Sequence, residues 1–181
     1  MYCDRRYFLK MGAQAAVSAL FPLSAMASIN GILIPERRLS FYNTHTDERL
    51  DVCYYSQGRY RPKALKKIDY ILRDHYSDKI KPIHKELLDL LHAISITIGD
   101  GARFHIISGY RTSETNTMLR RRSKAVAKNS LHLKGKAADI RIPDCDTKRL
   151  NNICKRMHAG GVGYYPESDF VHVDTGDVRF W

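Results

Sequence analysis

Two segments far apart in the chain, Ser130-Leu-His132-Leu-Lys-Gly135-Lys-Ala137-Ala-Asp139 and Asp169-Phe-Val-His172-Val-Asp174, hold the histidines and carboxylates that most restrict how this sequence can fold. Two imidazoles and one carboxylate are the protein share of a catalytic zinc site, which keeps a fourth position open for water. His132 and Asp139 stand seven apart, and Gly135 between them can supply the turn that folds a loop ligand back toward a strand ligand. A fold serving these residues must set a loop and two strands side by side. A metal held there would activate water and polarise a carbonyl, which makes a hydrolase. The plainer reading is that a loop histidine only makes surface hydrogen bonds.

The pattern around these segments is that of an α+β domain, an antiparallel sheet with helices packed on one side. Strand-like runs at 39–44 and 49–55 flank the polar His45-Thr-Asp-Glu48, a hairpin. Pro62 and Pro82 open stretches with apolar residues at helical spacing, Leu65, Ile68, Ile71 and Leu72 in one, Leu87, Leu88, Leu91 and Ile94 in the other. A strand runs from Arg103 to Ser108, a short basic helix from Glu114 to Arg122, a strand from Lys136 to Pro143, a helix from Thr147 to His158, and short strands fill 160–181. His105, alternating within an apolar strand, reads as a satisfied core group. The hairpin tyrosines Tyr42, Tyr54, Tyr55 and Tyr60 read as half-buried sheet residues. Gly160, Gly161 and Gly163 imply close backbone approach beside a cleft.

Residues 1–27 have the layout of an export signal: Asp4-Arg5-Arg6 and Lys10, an apolar stretch from Met11 to Leu23, then Ala25-Met26-Ala27. The paired arginines are similar to the twin-arginine signature, which implies a periplasmic product. Residues 28–38 read as a short leader and 39–181 as the working domain. No apolar run reaches the roughly 18 residues that a membrane span needs. The whole chain has 181 residues and a formal net charge of +11; without Arg5, Arg6, Lys10 and Asp4 the surplus is nine. Outside the inner membrane such a surplus suits the cell wall or anionic lipid surfaces rather than nucleic acid. Cys53, Cys145 and Cys154 remain, an odd count; Cys145 and Cys154 could bridge, but buried free thiols are favoured.

The string S-x-H-x-x-G-x-A-x-D resembles the motif of the zinc D-alanyl-D-alanine metallopeptidases, relatives of the lysostaphin-type and hedgehog-like folds. Asp169-x-x-His172 resembles the acid-x-x-His of that family, and Ser108-Gly-Tyr110-Arg111-Thr its arginine segment. The resemblance covers about residues 39–181 and is closest to a murein endopeptidase group. It implies one Zn2+ held by His132, Asp139 and His172, Asp169 as general base, and Arg111 binding the oxyanion. Ser130 and Tyr110 would contact substrate. Asp169 must then sit on a turn or bulge before its strand, because in an ideal strand Asp174, not Asp169, shares the face of His172. Asp174 is therefore a rival base or a partner of a ligand.

The activity these features imply is hydrolysis of peptide cross-links in peptidoglycan, acting on stem peptides and cross-bridges. The alternatives are a D-Ala-D-Ala carboxypeptidase, an L-Ala-D-Glu endopeptidase, or a non-catalytic wall-binding domain with structural zinc. No residue names a regulatory protein partner. The basic run Arg120-Arg121-Arg122 with Lys124 and Lys128 reads equally as a carboxylate-recognising loop or a solvated face.

Overall fold

The computed structural model describes residues 36–99 and 101–181. The signal-like segment and most of the leader lie outside these residues. Eight strands form one sheet: β1 (Arg37–Asn43), β2 (Arg49–Ser56), β3 (Arg59–Tyr60), β4 (Arg103–Ser108), β5 (Ala137–Arg141), β6 (Gly161–Tyr165), β7 (Phe170–Asp174) and β8 (Arg179–Phe180). Their spatial order is β3-β2-β1-β4-β5-β7-β6-β8. Most neighbours are antiparallel; β1 with β4 and β6 with β8 are parallel. Among the described residues four α-helices accompany them: α1 (Pro62–Ile71), α2 (Lys85–Ile98), α3 (Ser113–Arg122) and α4 (Thr147–Met157). The α+β expectation holds, with those two parallel pairs as additions. None of the described helices is long and apolar enough to cross a membrane.

Alternation along the strands divides the sheet into a covered and an open face. Phe41, Phe104, Ile106, Ala138, Ile140, Val171 and Val173 are buried in one cluster with Leu72 and with Ile68, Leu87, Leu88, Leu91, Ile94 and Leu150 from the helices. α1 begins at Pro62, where a missing amide costs nothing because the first turn has no acceptor for it. The second helix begins at Lys85, three residues after the proline that the sequence suggested as its start.

The hairpin tyrosines are structural, as expected. Tyr54 is fully buried, and its hydroxyl and that of Tyr60 both donate to Asp89 on α2, at 2.9 and 2.5 Å, where Arg37 completes the cluster. His105 corrects the sequence reading. It lies half-buried on the open face, its ring 4.7 Å from that of Tyr42, and its buried Nδ1 has no partner. Cys53, Cys145 and Cys154 are free thiols, and burial pushes Cys154 up to about 12.

His75 stacks on His45 at 3.7 Å between centroids, and its buried Nε2 has no hydrogen-bond partner. Burial, reinforced by repulsion from His45, pushes its imidazole down to about 4. The unfolded value is about 6.5. The neutral ring therefore contributes stability that is fully present above about pH 6.5 and is lost as pH falls toward 4. Denaturant titrations of wild type and His75→Phe at pH 7.5 and 4.5 should show an acid-side loss smaller in the variant by about 1 kcal/mol, after discounting for partial exposure. Equal losses would refute this assignment.

Candidate active site

A row of cross-strand partners on the open face builds the site: Ser108 on β4 opposite Asp139 on β5, Asp139 opposite His172 on β7, and His172 opposite Gly163 on β6. In a regular strand Ser108 would share the covered face of Ile106. The register shifts between Ile106 and Ser108, and this bulge turns Ser108 toward Asp139. His132 comes from a 3-10 turn, Leu131–Lys134, capped at its start by the Ser130 hydroxyl, which accepts from the His132 amide. Gly135 closes the turn at φ 66°, the left-handed geometry that its place between the two ligands required.

The three donor atoms converge. Asp139 Oδ1 lies 2.8 Å from His172 Nδ1 and 3.2 Å from His132 Nε2, and the two nitrogens are 3.2 Å apart. The outer nitrogens fix the tautomers. His132 Nδ1 faces the Gly109 carbonyl at 2.6 Å and must donate to it; His172 Nε2 faces Asp174 Oδ2 at 2.9 Å and must donate there. Three lone pairs then point at one another, which is repulsive unless a cation lies among them. Arms of 2.0–2.1 Å at tetrahedral angles put donor atoms about 3.3 Å apart, so the observed edges fit a zinc-sized ion. Together these are the cluster of His, Cys, Asp and Glu able to hold a metal among the described residues.

Electrostatics agree. Burial would raise the Asp139 carboxyl, but His132, His172 and Arg111 hold it well below the usual range. Burial pushes His132 down. His172 goes the other way: burial opposes the charge, yet Asp139 and Asp174 on either side raise it to about 9. A proton on His172 thus relieves the same crowding of lone pairs that a metal would, and the two compete.

Arg111 pairs through Nη2 with Asp139 Oδ2 and through Nε with Ser108 Oγ, at 2.7 Å for the latter. The segment that carries it is fastened residue by residue. Tyr110 N donates to Leu72 O, Arg111 N to His132 O, and Thr112 N and Oγ1 to Asp74 Oδ2. Asp174 is fully buried, bonded to His172, to the Gly161 and Gly176 amides and to Arg179. Asp174 thus holds the His172 ring from behind and is buried away from the cleft. Ser130 lines the cleft with Arg111, His132, Asp139 and His172 around a cavity of about 490 Å³.

One expectation is corrected, and one residue is found with its side chain engaged elsewhere. Tyr110 is packed against the core, with Lys81 over its ring at 5.6 Å, and does not line this cavity. Asp169 sits on a turn before β7, as its face required, but its carboxylate does not reach the cluster. It caps a 3-10 turn at φ 50°, and its oxygens are held by the Thr147 hydroxyl and the Arg141 guanidinium. Its neighbours Ser168 and Phe170 do line the cavity. Sequence reasoning missed the Gly109 carbonyl, Arg179 and Trp181. The first left no signal, because a backbone acceptor is set by the loop's path.

Residues 34–181 match the family described as peptidoglycan L,D-endopeptidase MepK. A Haemophilus influenzae protein named "Probable peptidoglycan L,D-endopeptidase MepK" is 38% identical over 180 residues, covering 98% of this chain and 95% of its own. The Escherichia coli K12 peptidoglycan L,D-endopeptidase MepK is 38% identical over 179 residues, covering 98% of this chain and 97% of its own. With the family match spanning every described strand and helix, the chain belongs to the MepK family of peptidoglycan L,D-endopeptidases.

Proposed function

We propose that this chain is a periplasmic zinc peptidase that hydrolyses peptide cross-links of peptidoglycan, including the direct diaminopimelate-to-diaminopimelate type. One observation carries the proposal: three buried lone-pair atoms converge at 2.8–3.2 Å beside a fixed arginine. The names of the relatives support the substrate, and the export-signal layout of residues 1–27 supports the compartment.

His132 Nε2, Asp139 Oδ1 and His172 Nδ1 would hold the ion, which supplies Lewis-acid polarisation of the scissile carbonyl and lowers the pKa of water. Arg111 has one edge committed to Asp139 and Ser108 and stands at the cleft, where its charge meets the developing oxyanion. Ser130, which lines the same cavity, would offer its hydroxyl to the peptide backbone. Asp169 takes and returns the proton at its carboxylate once substrate draws it from Thr147 and Arg141, a tightening that free enzymes often lack. Asp174 keeps the proton on His172 Nε2 and so keeps Nδ1 available.

Mass-resolved product analysis on purified peptidoglycan, with chelator and zinc add-back, tests the reading. Chelator-sensitive conversion of cross-linked dimers to monomers is expected. Loss of terminal D-Ala alone would make the protein a carboxypeptidase, and binding without products would make it a wall-binding domain. Within this scheme Asp169→Asn should lower kcat by about 10²–10⁴-fold with zinc retained. Asp174→Asn should instead weaken zinc binding by about 10–100-fold. Full activity in Asp169→Asn would remove it as the base.

A further inference from the structure

The row Ser108, Asp139, His172, Gly163 ends on a residue with no side chain, and that vacancy is filled from the next strand. A β-carbon on Gly163 would stand 2.6 Å from the indole of Trp181. The residue is fastened by its backbone, where Trp181 N donates to Val162 O at 3.2 Å and its main-chain oxygen accepts from Tyr164 N at 3.0 Å, and by its ring, where Nε1 donates to the Tyr165 hydroxyl at 2.9 Å. Its ring centroid is 5.3 Å from that of His172, and the Arg179 guanidinium lies 5.2 Å from it while also bonding Asp174. Despite this fastening Trp181 is 48% exposed and lines the cavity of the cluster. Other exposed apolar side chains, such as Tyr70 and Ile96, do not border that cavity.

A large aromatic ring held rigidly and left half in water, inside a cleft, is a surface prepared for a ligand. Because it adjoins a metal-ligand ring directly, whatever lies on it is a residue next to the bond being cut. A distant sugar does not meet that condition. An indole surface favours alkyl chains, and the Arg179 guanidinium already supplies the cation beside this ring. We propose that Trp181 is a specificity-determining residue whose half-exposed indole packs against the aliphatic side chain of the diamino acid at the cross-link. This deepens the endopeptidase reading above and rests on it.

Trp181 is the one tryptophan of the chain, so its emission reports on this position alone. The chain is titrated with a purified cross-linked muropeptide dimer and, separately, with peptide-free glycan; hydrolysis of the dimer is measured for wild type, Trp181→Phe, Trp181→Ala and Gly163→Ala. A saturable emission change with the dimer and none with glycan is expected. KM should rise about fivefold in Trp181→Ala and less in Trp181→Phe, with kcat within about threefold, since such stacking is worth about 1 kcal/mol. Gly163→Ala keeps the indole but displaces it, and should raise KM likewise. Should Trp181→Ala not fold, the other two variants decide. Unchanged KM in variants of wild-type melting temperature, or emission that answers only to glycan, overturns the proposal. If wild type cleaves no peptidoglycan bond, the endopeptidase reading fails by itself. The titration still decides the platform, with a saturable response to the dimer upholding it and flat emission overturning it.

Discussion

Replacing His132 by alanine is expected to abolish peptidoglycan hydrolysis, lowering kcat/KM by at least about 10³-fold, because the loss of a metal ion removes several kcal/mol of charge stabilisation at the reacting carbonyl. His132 is 1% exposed, and its ring is fixed by the Gly109 carbonyl on one side and the two other donors on the other. Alanine leaves Asp139 Oδ1 and His172 Nδ1 only 2.8 Å apart, a pair that one shared proton satisfies. The variant should therefore fold, hold less than stoichiometric zinc in elemental analysis, and fail to regain activity on zinc add-back. A variant with full zinc content and wild-type turnover would end the metal assignment.

Arg111→Ala should cost about 10²–10³-fold in kcat, the usual consequence of removing one fixed donor at an oxyanion, with zinc content unchanged. Arg111→Lys should recover only part of this. Lysine keeps the charge but cannot bond Ser108 Oγ and Asp139 Oδ2 together through one rigid fork. A loss confined to KM would show uniform binding instead of transition-state binding, and would move the oxyanion role elsewhere.

Much of this site was legible in the order of residues, for reasons particular to each. Gly135 announced its turn because few other residues adopt φ near 66° at low cost. Asp139 and His172 were readable as strand residues, and their direct pairing follows once β5 and β7 are neighbours. The ambiguity between Asp169 and Asp174 was legible too, since strand alternation gave Asp174 the face of His172. What alternation could not supply was the position of the Asp169 carboxylate, which Thr147 and Arg141 decide from another element. The bulge before Ser108 was equally hidden, being a matter of register between strands rather than of composition. Trp181 escaped notice because its importance depends on the bare backbone of Gly163, a residue that is its neighbour only in space.

The sheet order has a further consequence for the behaviour of the molecule among its own copies. Its outermost members, β3 and β8, are two residues long, and each begins with an arginine. Such short, charged edge strands offer few amides and carbonyls of their own onto which another chain could zip. At the β8 flank, β8 and Trp181 together pair along β6, so sheet-to-sheet polymerisation is discouraged there. An extended peptide likewise gains little from lying alongside that flank, and the strand-crossing groove over the row of Asp139 and His172 is a better berth.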